Sequence, residues 1–151
     1  VGIVRGAGVG ATLTLRIGGK FSPRSGPPLD LEVRVHAIQD DHRQTTVAGQ
    51  RMRCGNCVVL ETKEGVLLVL NDVRTQTFNP DAFTGLGLDP ANAPIVVVKS
   101  TQHFYAGFAP IASATFYVKT DAAIRFEGPV SPYVRRNGNY WPVVEDPFAV
   151  A

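Results

Sequence analysis

Alternation of apolar and polar positions organises the first half of the chain. Leu13, Leu15 and Ile17 alternate with Thr14 and Arg16, which predicts a strand with one buried face. Leu29, Leu31, Val33, Val35 and Ala37 alternate with Asp30, Glu32, Arg34 and His36. This is the cleanest strand pattern in the sequence, and it predicts one face on the core and the other in water. Between the two runs, Gly18-Gly19 and the Pro- and Gly-rich residues 23–28 cannot continue a ladder and predict an irregular loop. Residues 57–61 and 66–70 flank Lys63-Glu64-Gly65 and read as a β-hairpin closed by a short Gly-containing turn.

The second half changes character. Asn79-Pro80-Asp81 offers a helix start, with Asn79 as N-cap and Pro80 in the first turn, and Gly87 closes a helix of two turns at most. Residues 95–99 are β-branched and apolar up to Lys99, which predicts a strand buried on both faces. Ser100 or Thr101 then caps a helix expected to run to about Ala112, and residues 115–118 supply a further strand. That succession is a βαβ unit with a right-handed crossover. The expected fold is α+β: a mixed sheet with antiparallel strands and a hairpin plus one late βαβ crossover, with few short helices. Residues 1–151 read as a single domain, with an irregular tail from about 129 packed by Tyr140 and Trp141.

Composition narrows the classes. A chain of 151 residues with 44% hydrophobic and 19% charged residues can bury one core. Its longest apolar runs, 66–70 and 95–98, are far too short to span a bilayer. The formal charge of +2 is small and the basic residues are scattered, which argues against a nucleic-acid partner. Arg135-Arg136, the densest basic cluster, lies in a Pro- and Gly-rich stretch and reads as a solvated turn. Two cysteines without a signal peptide fit a reducing cytoplasm. The chain opens at Val1 without an initiator Met, so it is expected to be cut from something longer.

Four local patterns invite chemistry. Gly6-Ala7-Gly8-Val9-Gly10-Ala11 has the look of a dinucleotide loop, but a strand follows where a helix is required, so a flexible lead-in is expected. Cys54-Gly55-Asn56-Cys57 has metal-ligand spacing, yet no second pair completes a tetrahedral site, and the pair enters a strand rather than a helix. Asp40-Asp41-His42 reads first as a solvated turn. Lys99-Ser100-Thr101-Gln102-His103 is the most informative stretch, because it sits where a strand is expected to yield to a helix N-terminus. Such a junction suits an anion or carboxylate. Arg74 could add a bidentate carboxylate contact or an internal salt bridge.

Read together, these segments resemble the C-terminal domain of the MlrC-type (microcystinase C-like) zinc metallopeptidases. The resemblance rests on Gly18-Gly19-Lys20, Pro28-Leu29-Asp30-Leu31, the hairpin leading to Arg74-Thr75-Gln76 with Phe78, and Phe83 followed by Gly87-Leu88-Asp89-Pro90. It is strongest at Ile95-Val96-Val97-Val98-Lys99-Ser100 and continues through His103-Phe104 to Phe108-Ala109-Pro110-Ile111-Ala112. Cys54 and Cys57 lie outside the family pattern. The resemblance implies a parent enzyme that hydrolyses peptide or related amide bonds with zinc held by a separate N-terminal domain. It therefore implies no catalytic and no metal-ligating residue in this chain, and no cofactor of its own. The expected role is to wall the cleft of that N-terminal domain and contact the peptide or amide substrate through Lys99, Ser100, His103 and Arg74. Rival readings are a stand-alone small-molecule or anion-binding module at the same junction, or an oligomerisation domain. No nucleic acid and no membrane enter any of these readings.

Overall fold

The structure, a computed structural model, describes residues 1–21, 23–118, 120, 135 and 137–149. A short helix α1 (Gly2–Ala7) precedes strand β1 (Thr12–Ile17), and the long strand β2 (Leu29–Thr45) follows. Strands β3 (Arg51–Thr62) and β4 (Leu67–Asn71) form the expected hairpin, and two helical turns, α2 (Asp81–Thr84) and α3 (Tyr105–Phe108), come later. The four strands lie in sequence order in one sheet, each antiparallel to its neighbour. Thr62 closes the hairpin turn by receiving the Gly65 amide on its carbonyl and donating its own amide to Val66. Gly65 takes φ 82°, a conformation that side chains with a Cβ disfavour. No helix among the described residues is long and apolar enough to cross a membrane.

Burial on both faces of β3 sets the core. Val58 and Leu60 point to one side, where they meet Val33 and Val35 of β2 and Val4 of α1. Cys57 and Val59 point to the other, against Leu86 and the half-buried Ala37, Val69 and Leu88. The short α1 therefore acts as a lid on the first cluster, and Gly10 donates its amide to the Val35 carbonyl at 2.8 Å. The expectation of a flexible lead-in is corrected here. Val4 is an apolar anchor, and burying it outweighs the helix-weakening glycines around it.

The long strand departs from its sequence pattern at one residue. The register shifts between Val35 and Ala37, leaving His36 as an extra residue on β2. A bulge of this kind reverses which side the following side chains face. Val33 and Val35 thus join the first cluster while Ala37 joins the second, although all three share one parity in the sequence. Further shifts between Gln39 and Arg43 bend the strand again. Opposite them Gly55 takes φ 80°, and a Cβ there would collide with the Asp72 carboxylate and the Val73 side chain.

The late βαβ crossover is not part of the observed fold. Among the described residues, 95–99 and 115–118 join no sheet, and the sheet is antiparallel throughout. The helix expected from Ser100 or Thr101 to Ala112 reduces to α3 and a following 3-10 turn, Ala109–Ile111. Two residues account for its brevity: Gly107 weakens helix formation, and Pro110 has no amide to donate to the preceding turn. Gly107 nevertheless has a packing reason, since a Cβ there would press on the Phe78 carbonyl and on Asn79 and Pro80. Phe108 is buried and meets Phe83 edge-on at 5.9 Å, which ties α3 to α2. Helix α2 starts beside Asn79-Pro80 as expected, but Asn79 makes no side-chain cap. Gly87 ends the turn that follows with φ 78°. Of the tail expected from about 129, residues 135 and 137–149 are described and join no helix or strand; Tyr140 is half-buried, whereas Trp141 is 72% exposed rather than packed.

Candidate functional site

Two of the four expected site residues converge on one atom. The Ser100 hydroxyl donates to the Gln76 side-chain oxygen Oε1 at 3.3 Å. His103, in the tautomer carrying its proton on Nδ1, reaches the same oxygen at 3.3 Å. The His103 ring also stacks on Phe78, with centroids 5.6 Å apart and planes 26° from parallel.

A buried glutamine on the sheet holds the Gln76 segment in place. Gln44, near the end of β2, is almost fully buried. Its amide nitrogen donates to the Gln76 carbonyl at 2.6 Å, and its oxygen accepts the Phe78 amide at 2.9 Å. Gln44 thereby pairs with an irregular segment as a neighbouring strand would, and a buried amide with both halves satisfied is worth keeping. Sequence reasoning missed both glutamines as site residues. Gln44 lies in a polar run beyond the clean alternation of β2, and only its burial marks it out.

The other two expected residues lie beside this cluster without joining it. Arg74 is two residues before Gln76, and its guanidinium sits 5.9 Å from the Phe21 ring centre. Lys99 precedes Ser100 and is exposed. Among the described residues no helix starts at either residue: α3 starts at Tyr105 and is four residues long. The helix N-terminus expected at this junction is therefore corrected: a side-chain cluster centred on Gln76 stands there instead.

The remaining sequence patterns disperse. Asp40 pairs with Arg5 at 2.7 Å, and Asp41 pairs with Arg53 at 2.7 Å and Arg43 at 3.3 Å. Hydrogen bonds from Arg53 and Arg43 hold the Asp41 carboxyl below its ordinary range. His42 turns inward, its Nε2 3.2 Å from the Ala82 carbonyl. The Asp81 carboxylate accepts from the Thr45 amide, the Thr45 hydroxyl and Arg51, tying α2 to β2. A surface depression of about 430 Å³ lies between these pairs, lined by His42, Arg43, Arg51, Asp81, Thr84 and Gly85 among others. Its charges are consumed by internal ion pairs. Cys54 and Cys57 are both buried free thiols. Burial pushes both up in pKa, Cys57 to about 12.

A catalytic zinc needs three protein ligands around one point. Among the described residues no three His, Cys, Asp or Glu side chains gather in that way. His36 faces Glu61, His42 faces Ala82 and His103 faces Gln76, so the three imidazoles serve separate neighbourhoods. The described donor set does not fit the metal.

Fold and cluster define a small antiparallel-sheet domain that carries an exposed Ser–His–Gln cluster on the irregular chain beyond its hairpin. The chain belongs to the MlrC C-terminus family, whose model matches residues 1–133. It is 32% identical over 136 residues to microcystinase C from Sphingomonas sp., a match that covers 90% of this chain and 26% of that protein. The chain thus spans about a quarter of the length of this curated relative.

Proposed function

We propose that the chain is the non-catalytic C-terminal domain of an MlrC-like zinc-dependent peptide or amide hydrolase. In this reading zinc and the reacting groups belong to an N-terminal domain of the same protein. This domain walls the cleft, with Ser100 and His103 held by Gln76, and with Arg74 and Lys99 close in sequence to supply positive charge for a peptide carboxylate. The protein would work in the cytoplasm. The observation that carries the proposal is the convergence of Ser100 and His103 on Gln76 Oε1. Three polar side chains from two segments far apart in sequence meet there, backed by a buried glutamine that fixes their support.

The test is kinetic and uses the full-length hydrolase. Loss of one substrate hydrogen bond costs roughly a tenfold change in rate or affinity. His103→Ala and Gln76→Ala are expected to lower kcat/KM about tenfold, chiefly through KM, with zinc content unchanged. A cleft wall predicts that split; a metal ligand predicts lost zinc. Unchanged kcat/KM in both variants would remove the cluster from the cleft.

A further inference from the structure

Residues 95–98 carry the most apolar run of the second half, yet they lie open. Ile95 is 81% exposed and Val97 is 85% exposed. Val96 and Val98 are half-buried, so burial alternates with the period of a strand. Among the described residues, no backbone hydrogen bond involves the amides or carbonyls of Ile95, Val96 or Val97. Val98 accepts one bond, from the Ser100 amide, which turns the chain at the end of the run. Four β-branched residues with an apolar outer face and unpaired backbone have the character of a strand, yet they join no sheet among the described residues. Left in water, such a segment is a hazard for edge-to-edge association. Phe116 and Val118, further along, are exposed to a similar degree.

We infer that residues 95–98 form a strand that adds to an open sheet edge in the remainder of the full-length hydrolase. The inference rests on the reading above that this chain is one domain of a longer protein. The occupant is indicated by length. Residues 95–98 lie inside the family match, while the larger part of microcystinase C lies outside the region this chain covers. Chemistry agrees: backbone pairing would satisfy the open amides, and Ile95 and Val97 would be covered by the partner's apolar face. The strand ends at Lys99-Ser100, so docking would also carry the Ser100–His103–Gln76 cluster to the domain junction.

Amide hydrogen exchange, read by mass spectrometry on the full-length protein and on the 151-residue chain, tests this directly. The amides of 96–98 are expected to exchange at least about 100-fold more slowly in the full-length protein. Val97→Asp should abolish that protection while leaving the melting temperature of the 151-residue chain unchanged, because the side chain is exposed there. Equal, fast exchange in both proteins overturns the inference. Protection that already exists in the 151-residue chain also overturns it. If that protection grows with concentration, alongside dimers in sedimentation, the strand belongs to a second copy. If it does not, the strand pairs within the domain. Kinetic failure of the His103 and Gln76 variants would leave this result untouched, so the two readings can fail separately.

Discussion

At pH 8, Cys57 of the folded chain is expected to react with iodoacetamide about a thousand times more slowly than an ordinary free thiol. The thiolate is the nucleophile, and Cys57 is pushed up from 9.0 to about 12, first by burial and then by the neighbouring Cys54 and Asp72. Its side chain is 2% exposed, which slows access further. The same shift sets a stability trend. A thiol whose folded pKa is raised stabilises the fold fully below pH 9, where both states are protonated. Above pH 9 the unfolded thiol ionises first, so stability falls as pH rises towards about 12. Alkylation followed by mass spectrometry, with and without urea, checks the rate. Rapid labelling of Cys57 in the folded chain would mean that the β3–β4 ladder opens, or that the Cys54/Cys57 pair has a redox role.

Leu60→Ala is expected to destabilise the chain by about 3 kcal/mol, from lost burial plus the cavity left behind. Leu60 is fully buried, sits opposite Val35 on β2 and Leu68 on β4, and packs with Val4 of α1. Four elements thus meet on one side chain, and none of the stiff β-branched neighbours can swing in to fill the gap. Leu29→Ala provides the contrast. Leu29 lies in the same alternating pattern but is 60% exposed, and its loss should cost under about 0.5 kcal/mol. Urea unfolding with an unchanged slope measures both. A cost below about 1 kcal/mol for Leu60→Ala would show that the first cluster is not closed by α1.

These two residues also show what a sequence can disclose. Strands β1 and β2 and the β3–β4 hairpin were legible because alternation and a Gly-containing turn act over neighbouring residues. The His36 bulge was not legible. An extra residue leaves the alternation of Leu29 to Ala37 looking continuous, and only pairing with β3 shows that Ala37 faces the opposite cluster from Val35. Residues 95–99 read as a buried strand because the run is β-branched and apolar up to Lys99. The β-branched run records a preference for an extended, covered backbone, but it does not say which chain provides the cover. Ser100 and His103 were legible as polar residues after that run. Their shared partner was not, since Gln76 lies 24 residues before Ser100 and nothing local points to it. Gln44 was hidden for the same reason: its two bonds span 32 and 34 residues.

The central claim is that this domain serves a hydrolase without housing its chemistry. Zinc content and amidase turnover of the purified 151-residue chain test it most directly. After incubation with zinc and desalting, the account predicts only trace metal per chain and no turnover of peptide amides, because the described residues bring no three ligands together. One tightly held equivalent of zinc, or robust amide hydrolysis by the chain alone, would contradict it.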